Sequence, residues 1–347
     1  MSRHLQSAPM GDRYMRLATT ALALIAATSP ALAEEVNLYS YRQPELLAPL
    51  TDAFTEATGI DVNVAFLDKG MVERLQAEGD RSPADLVFTV DISRLSAVVN
   101  AGLTQPVESD VLNENVPEQY RDPEGHWFGL TTRARIVYAS KDRVDPSEVT
   151  SYEDLADPKW EGRICTRSGT HPYNVALVSA MLHHHGEEET KTWLEGVKSN
   201  LARKPQGNDR AQVKAIWSGE CDISLGNTYY MGKMLEDDEQ TAWAESVNVL
   251  FPEFEGAGTH VNISGVAMTK SAPNRENALK MMEFLTQPEA QEIYAHANYE
   301  YPIAPGTEAD ALVQGWGSFE ADDVNLMTLA DLRADALRII EEVDFDG

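Results

Sequence analysis

The sequence predicts an α/β fold of two lobes joined by a two-strand hinge. Three observations predict it. Short β-branched runs alternate with amphipathic helical patterns. Two long apolar extended runs, residues 130–140 and 260–268, offer one path out of a first lobe and one path back. The chain beyond its first 33 residues, about 314 residues long, also exceeds what one hydrophobic core organises.

Along the chain, residues 1–33 combine Arg13 and Arg16, an apolar run over 17–27 and the small-residue ending Ala31-Leu32-Ala33. This pattern predicts a secretory signal peptide cleaved after Ala33, with Met10 and Met15 as alternative starts. The apolar run is about 11 residues long, short of the roughly 20 that cross a hydrocarbon core. No Cys ends the leader, so no lipid anchor is expected.

Residues 36–40 read as the opening strand. A helix over 44–57 follows, with Leu46, Leu47, Leu50 and Phe54 at helical spacing, Pro44 near its start and Gly59 closing it. Pro49 inside that pattern predicts a kink. A strand over 61–66, a helix around 71–78 and a strand over 85–90 complete a β-α-β-α-β series. Such a series implies a parallel sheet with ligands at the carboxyl ends of its strands, here Ser40-Tyr41-Arg42-Gln43 and Asp91-Ile92-Ser93.

After the 130–140 run the pattern restarts, with strands at 162–166 and 222–225 and a helix over 173–185. The expected division is a first lobe of 34–132 plus about 262–310, a second lobe of 133–261, and a helical tail of 311–347 whose lobe the sequence does not assign.

Composition narrows the function. A net charge of −28 argues against nucleic acid, whose phosphates require clustered Lys and Arg. Cys165 and Cys221 both lie near strand ends. An even count in an oxidising compartment suggests one disulfide, the alternative being two buried thiols.

Catalytic signatures are broken or missing. The stretch from Gly226 to Gly232-Lys233 has one residue too many between its glycines for a phosphate loop, and Met234 stands where Ser or Thr is needed. No Gly-x-Ser-x-Gly or His-Glu-x-x-His motif occurs, and no enzymatic activity is expected.

The most informative local feature is Gly226-Asn227-Thr228-Tyr229-Tyr230, directly after a strand. On a strand the two tyrosines would point to opposite faces; at a loop or helix start both reach one cleft. Tyr173, in Thr170-His171-Pro172-Tyr173, likewise follows a strand and opens a helix, so three tyrosines can converge. Phenol ionises near pH 10, so three phenolates at pH 7 cost roughly 12 kcal/mol. A small, hard, highly charged cation offsets such a cost. Ferric iron fits better than zinc or calcium.

The strings Gly162-Arg-Ile-Cys-Thr-Arg-Ser, Pro205-Gln-Gly-Asn-Asp, Asn227-Thr-Tyr-Tyr, Gly258-Thr-His-Val-Asn-Ile-Ser-Gly and Asn298-Tyr-Glu-Tyr-Pro resemble the periplasmic ferric-binding proteins of ABC iron importers. The resemblance runs from about Val36 to Pro302. It implies a periplasmic-binding-protein fold acting as a monomer, Fe3+ as the bound solute, and an ABC transporter permease as partner. It also implies that Tyr229, Tyr230 and Tyr173 are iron ligands and that Arg133 faces the cleft.

Relatives often carry His-Tyr after the first strand's arginine, where this chain has Gln43-Pro44. Three tyrosines are then expected, with carbonate or a similar anion filling the remaining positions. Arg42, Gln43 and Arg133 would hold that anion, since arginine presents a fork suited to carboxylate-like groups. Tyr39 and Tyr41 alternate on a strand and are not assigned. The rival reading keeps the scaffold but gives it a small organic or phosphonate-type anion, with the tyrosines as wall residues. His183-His184-His185 reads as a solvated helix end, and Asp91 and Ser93 as loop caps.

Overall fold

A computed structural model describes residues 34–347, so the predicted leader and its cleavage site lie outside the described residues. The strands are β1 (Glu35–Ser40), β2 (Asp61–Phe66), β3 (Leu86–Thr89), β4 (Phe128–Ser140), β5 (Ile164–Cys165), β6 (Ile223–Asn227), β7 (Val247–Leu250), β8 (Val261–Met268) and β9 (Tyr301–Pro302). They are linked in the order β2-β1-β3-β8-β4-β6-β5, with β7 and β9 branching from β4.

The parallel sheet expected from the β-α-β-α-β series is present, and it continues into antiparallel strands. Strands β2, β1 and β3 are parallel, as are β5 and β6, but β8 runs antiparallel to both β3 and β4. The reason is connectivity: β4 carries the chain from one group of strands to the other and β8 brings it back, so the two must run in opposite directions. Along β4 the partner changes from β8, paired through Ala134, to β6, paired from Arg135. The return path is stitched to the same place, for Arg135 donates its backbone N–H to His260 at 2.9 Å.

The helix Pro44–Thr58 buries Leu47, Leu50 and Phe54, and Gly59 ends it in the left-handed region at φ 73°. Pro49 lies on its exposed side without ending it, at the loss of one ladder hydrogen bond. Cys165 and Cys221 are joined, with Cα atoms 5.8 Å apart. The bridge ties β5 to the segment that enters β6, and so fixes the two strands that lead to the tyrosines.

The tail, unassigned from sequence, packs on the second group of elements. Its helix Arg333–Glu342 lies against the helices Pro172–His185 and Glu187–Ser199. The shorter helix Leu326–Asp331 touches both Pro172–His185 and Ile92–Asn100, the helix after β3. At the chain end, Asp346 accepts the backbone N–H of Gly169 at 2.7 Å.

A convergent tyrosine site

Gly226 allows β6 to reach the site, because a Cβ there would lie 2.1 Å from the buried ring of Tyr138. The strand ends at Asn227, whose backbone N–H is taken by Asp209 and whose carbonyl accepts the Tyr138 hydroxyl at 2.7 Å. Thr228 then turns to helical dihedrals, and the helix Tyr229–Leu235 begins. This turn answers the question left by the sequence. The two tyrosines leave a helix start rather than a strand, and their ring centroids are 4.3 Å apart.

Tyr173 arrives from the other side, on the first turn of the helix Pro172–His185. His171 caps that helix, its Nδ1 accepting the Tyr173 backbone N–H at 3.2 Å. The hydroxyls of Tyr173 and Tyr229 are 3.1 Å apart. Burial drives the Tyr229 phenol well above its ordinary range, and a charge on Tyr173 or Tyr230 would drive it further. Tyr230 is pushed up to about 12, again chiefly by burial. His171 is held neutral, at about 3, by burial and by the nearby charges of Arg167 and Arg135.

Beneath the tyrosines lies a buried ionic cluster. Asp209 accepts from Arg135 and from Arg167, each at 2.9 Å. The two guanidiniums lie 5.9 and 5.1 Å from the centroid of the Tyr173 ring. Among the described residues no group of three or more His, Cys, Asp or Glu side chains is placed to hold a metal ion. The phenols are the converging hard donors.

The predicted anion-binding residues fare unequally. Arg42 is buried and committed: it donates to Asn298 at 2.9 Å and to Glu300 at 2.6 Å. Burial opposes its charge, but Tyr294, Glu300 and Tyr229 around it more than offset that and move its ionisation further up. Arg133 is 2 % exposed and reaches only Ser264, at 3.4 Å. The Nε donors of both Arg42 and Arg133 are buried without a partner. Gln43 is exposed and stands before the helix Pro44–Thr58 without capping it through its side chain.

Tyr39 donates to Glu78 at 2.9 Å, and the Tyr41 hydroxyl accepts from the backbone of Met71. Neither joins the tyrosine group. Asp91 caps the helix Ile92–Asn100, as expected, and also accepts from Asn262 at 2.9 Å. His184 pairs with Asp322 and His185 with Glu153, so the histidine triplet fans out.

A family model described as bacterial extracellular solute-binding protein matches residues 81–315. The chain belongs to this family. Iron uptake protein A1 of Synechocystis sp. is 46% identical over 319 residues, covering 91% of this chain and 89% of the relative. The ferric iron-binding protein A of Mannheimia haemolytica, solved in an open conformation, superposes with a TM-score of 0.87 at 52% identity, covering 91% and 100% of the two chains. A Trichodesmium protein solved with iron and citrate ligands superposes at 0.86 with 41% identity, covering 90% and 99%. The fold is the two-lobed α/β fold of periplasmic binding proteins. Among the described residues no helix of this solute-binding protein is long and apolar enough to cross a membrane.

Sequence reasoning missed Arg135, Arg167 and Asp209. A signal for Arg135 was present: it is two residues from Arg133 on one strand, and so on the same face. Asp209 ends the string Pro205-Gln-Gly-Asn-Asp that carries the family resemblance, but nothing in that string tied it to a tyrosine. It is 36 residues beyond Tyr173, and only the fold brings it beneath the ring.

Proposed function

We propose that this protein is a periplasmic receptor that closes on ferric iron and delivers it to an ABC permease, with no covalent chemistry of its own. Tyr173, Tyr229 and Tyr230 are the metal ligands in this reading. The observation that carries it is the convergence of three phenols from two helix starts, with the Tyr173 and Tyr229 hydroxyls 3.1 Å apart. Ionising phenols costs too much without a cation of high charge, and Fe3+ neutralises three of them. The names of the relatives, an iron uptake protein and a ferric iron-binding protein, support the same solute.

Carbonate or a similar anion completes the coordination. The unpartnered Nε donors of Arg42 and Arg133 support an anion on that side, while the exposure of Gln43 supports a lesser part for it. The lobes, divided near residues 133 and 261, close about β4 and β8. The leader is removed after Ala33, and the receptor works as a monomer.

The test is colour. Apo protein given a ferric salt and bicarbonate is expected to develop a visible phenolate-to-iron charge-transfer band. The paired substitutions Tyr229→Phe and Tyr230→Phe should abolish it. A colourless protein whose melting temperature rises with an organic or phosphonate-type anion would instead establish the rival reading.

A further inference from the structure

The loop from Thr166 to His171 joins β5 to the helix that carries Tyr173. Its first half is fixed by neighbours already described. Arg167 pairs with Asp209, and Asn174 donates to the Thr166 hydroxyl and to the carbonyls of Arg167 and Ser168, each at 3.1 Å. Further along, the loop leans on the tail. Asp346 accepts the backbone N–H of Gly169 at 2.7 Å and also the hydroxyl of Ser168. Gly169 is buried, and a Cβ there would lie 2.6 Å from the Phe345 ring and 3.0 Å from the Ile340 side chain. The tail thus comes closer to this loop than any residue but glycine allows.

The way the tail arrives is specific. The helix Arg333–Glu342 ends in a Schellman turn: Asp344 donates its N–H to Glu341 at 2.9 Å, and Phe345 donates to Ile340 at 3.1 Å. Glycine is the usual occupant of the left-handed position in this turn, yet Asp344 holds it here, at φ 51°. The chain carries that unfavourable angle at the residue whose turn aims Phe345 and Asp346 at the loop. Lys198 donates to the Val343 carbonyl at 2.9 Å and Lys204 to the Gly347 carbonyl at 3.0 Å, which pins the turn on both sides.

Hydrogen bonds then lead from Asp346 to the tyrosine. Ser168, whose hydroxyl bonds Asp346, accepts the His171 backbone N–H on its carbonyl at 3.1 Å. The His171 ring in turn accepts the Tyr173 backbone N–H at 3.2 Å.

We propose that Asp346 is a positioning residue for Tyr173. It touches no solute. It holds the loop where the helix start presents the Tyr173 phenol to Tyr229, with the disulfide at Cys165 fixing the other end of the same segment. The proposal rests on the reading of Tyr173 as an iron ligand. Groups that orient a metal ligand from behind typically matter by about ten- to a hundredfold in metal affinity.

Ferric affinity of the full-length protein, measured by competition with nitrilotriacetate in bicarbonate, tests it. Asp346→Ala should weaken iron binding by about tenfold. Asp346→Asn, which keeps a carbonyl oxygen for the Gly169 N–H, should recover most of that loss. Ser168→Ala removes one of the two bonds, leaves the tail intact and should act in the same direction, so it serves even if Asp346→Ala does not fold. In a Tyr173→Phe background, Asp346→Ala should have no further effect, because no phenol remains to be positioned. An equal loss in both backgrounds would mean that Asp346 only stabilises the surrounding elements, and overturns the proposal. So does an unchanged affinity in Asp346→Ala when Tyr173→Phe alone weakens binding. Iron affinity unchanged in Tyr173→Phe refutes Tyr173 as a ligand, and the positioning role with it.

Discussion

Iron affinity should fall by about a thousandfold for each unit of pH lost below neutrality, because three phenols must give up protons to bind the metal. The sign follows from the free protein. Burial places the Tyr229 phenol well above its ordinary range and Tyr230 at about 12, so these two phenols hold their protons at pH 7 in the apo protein. Iron displaces them, and acid therefore favours the free form. Each proton released adds a factor of ten per pH unit, so three amount to about 4 kcal/mol per unit. A pH-stat measurement with ferric nitrilotriacetate as donor counts the protons directly. Carbonate formed from bicarbonate adds its own proton, so the decisive quantity is the difference between proteins. Tyr173→Phe should release one proton fewer than the parent. Equal counts would refute the assignment of Tyr173 as a ligand, however well the variant still binds iron.

Two further outcomes follow from the packing around the site. Asp209→Ala leaves the buried guanidiniums of Arg135 and Arg167 facing each other without their shared carboxylate, and should cost about 3–5 kcal/mol in chemical denaturation; a loss below 1 kcal/mol would show that the cluster relaxes into solvent. Reduction of the Cys165–Cys221 bridge releases a crosslink between residues 56 apart in sequence, worth about 4 kcal/mol from chain entropy, and should lower the melting temperature of the apo protein. An unchanged melting temperature with both thiols titratable would count against it.

The elements nearest the site show how far the sequence could be read. Residues 61–66 and 71–78 were legible as strand and helix because their apolar spacing follows one period, and the structure places Asp61–Phe66 and Met71–Glu78 there. The strand at 162–166 shrinks to Ile164–Cys165, since β5 is a short edge strand whose extent depends on pairing with β6. The direction of β8 was not legible, because side-chain alternation along a strand is the same whichever way its neighbour runs.

The sequence by itself determined the donor chemistry: tyrosines after strands, a chain too acidic for nucleic acid, and no intact catalytic signature. Local patterning also determined that residues 173–185 form a helix, with Tyr173 on its first turn. Tertiary structure decided which donors meet. The 3.1 Å separation of Tyr173 and Tyr229 joins residues 56 apart in sequence, through two strands held by a disulfide and a carboxylate shared between two arginines. It also decided that Arg42 is committed to Glu300. No periodicity encodes such distances, because they depend on how separate elements pack and not on the spacing within any one of them.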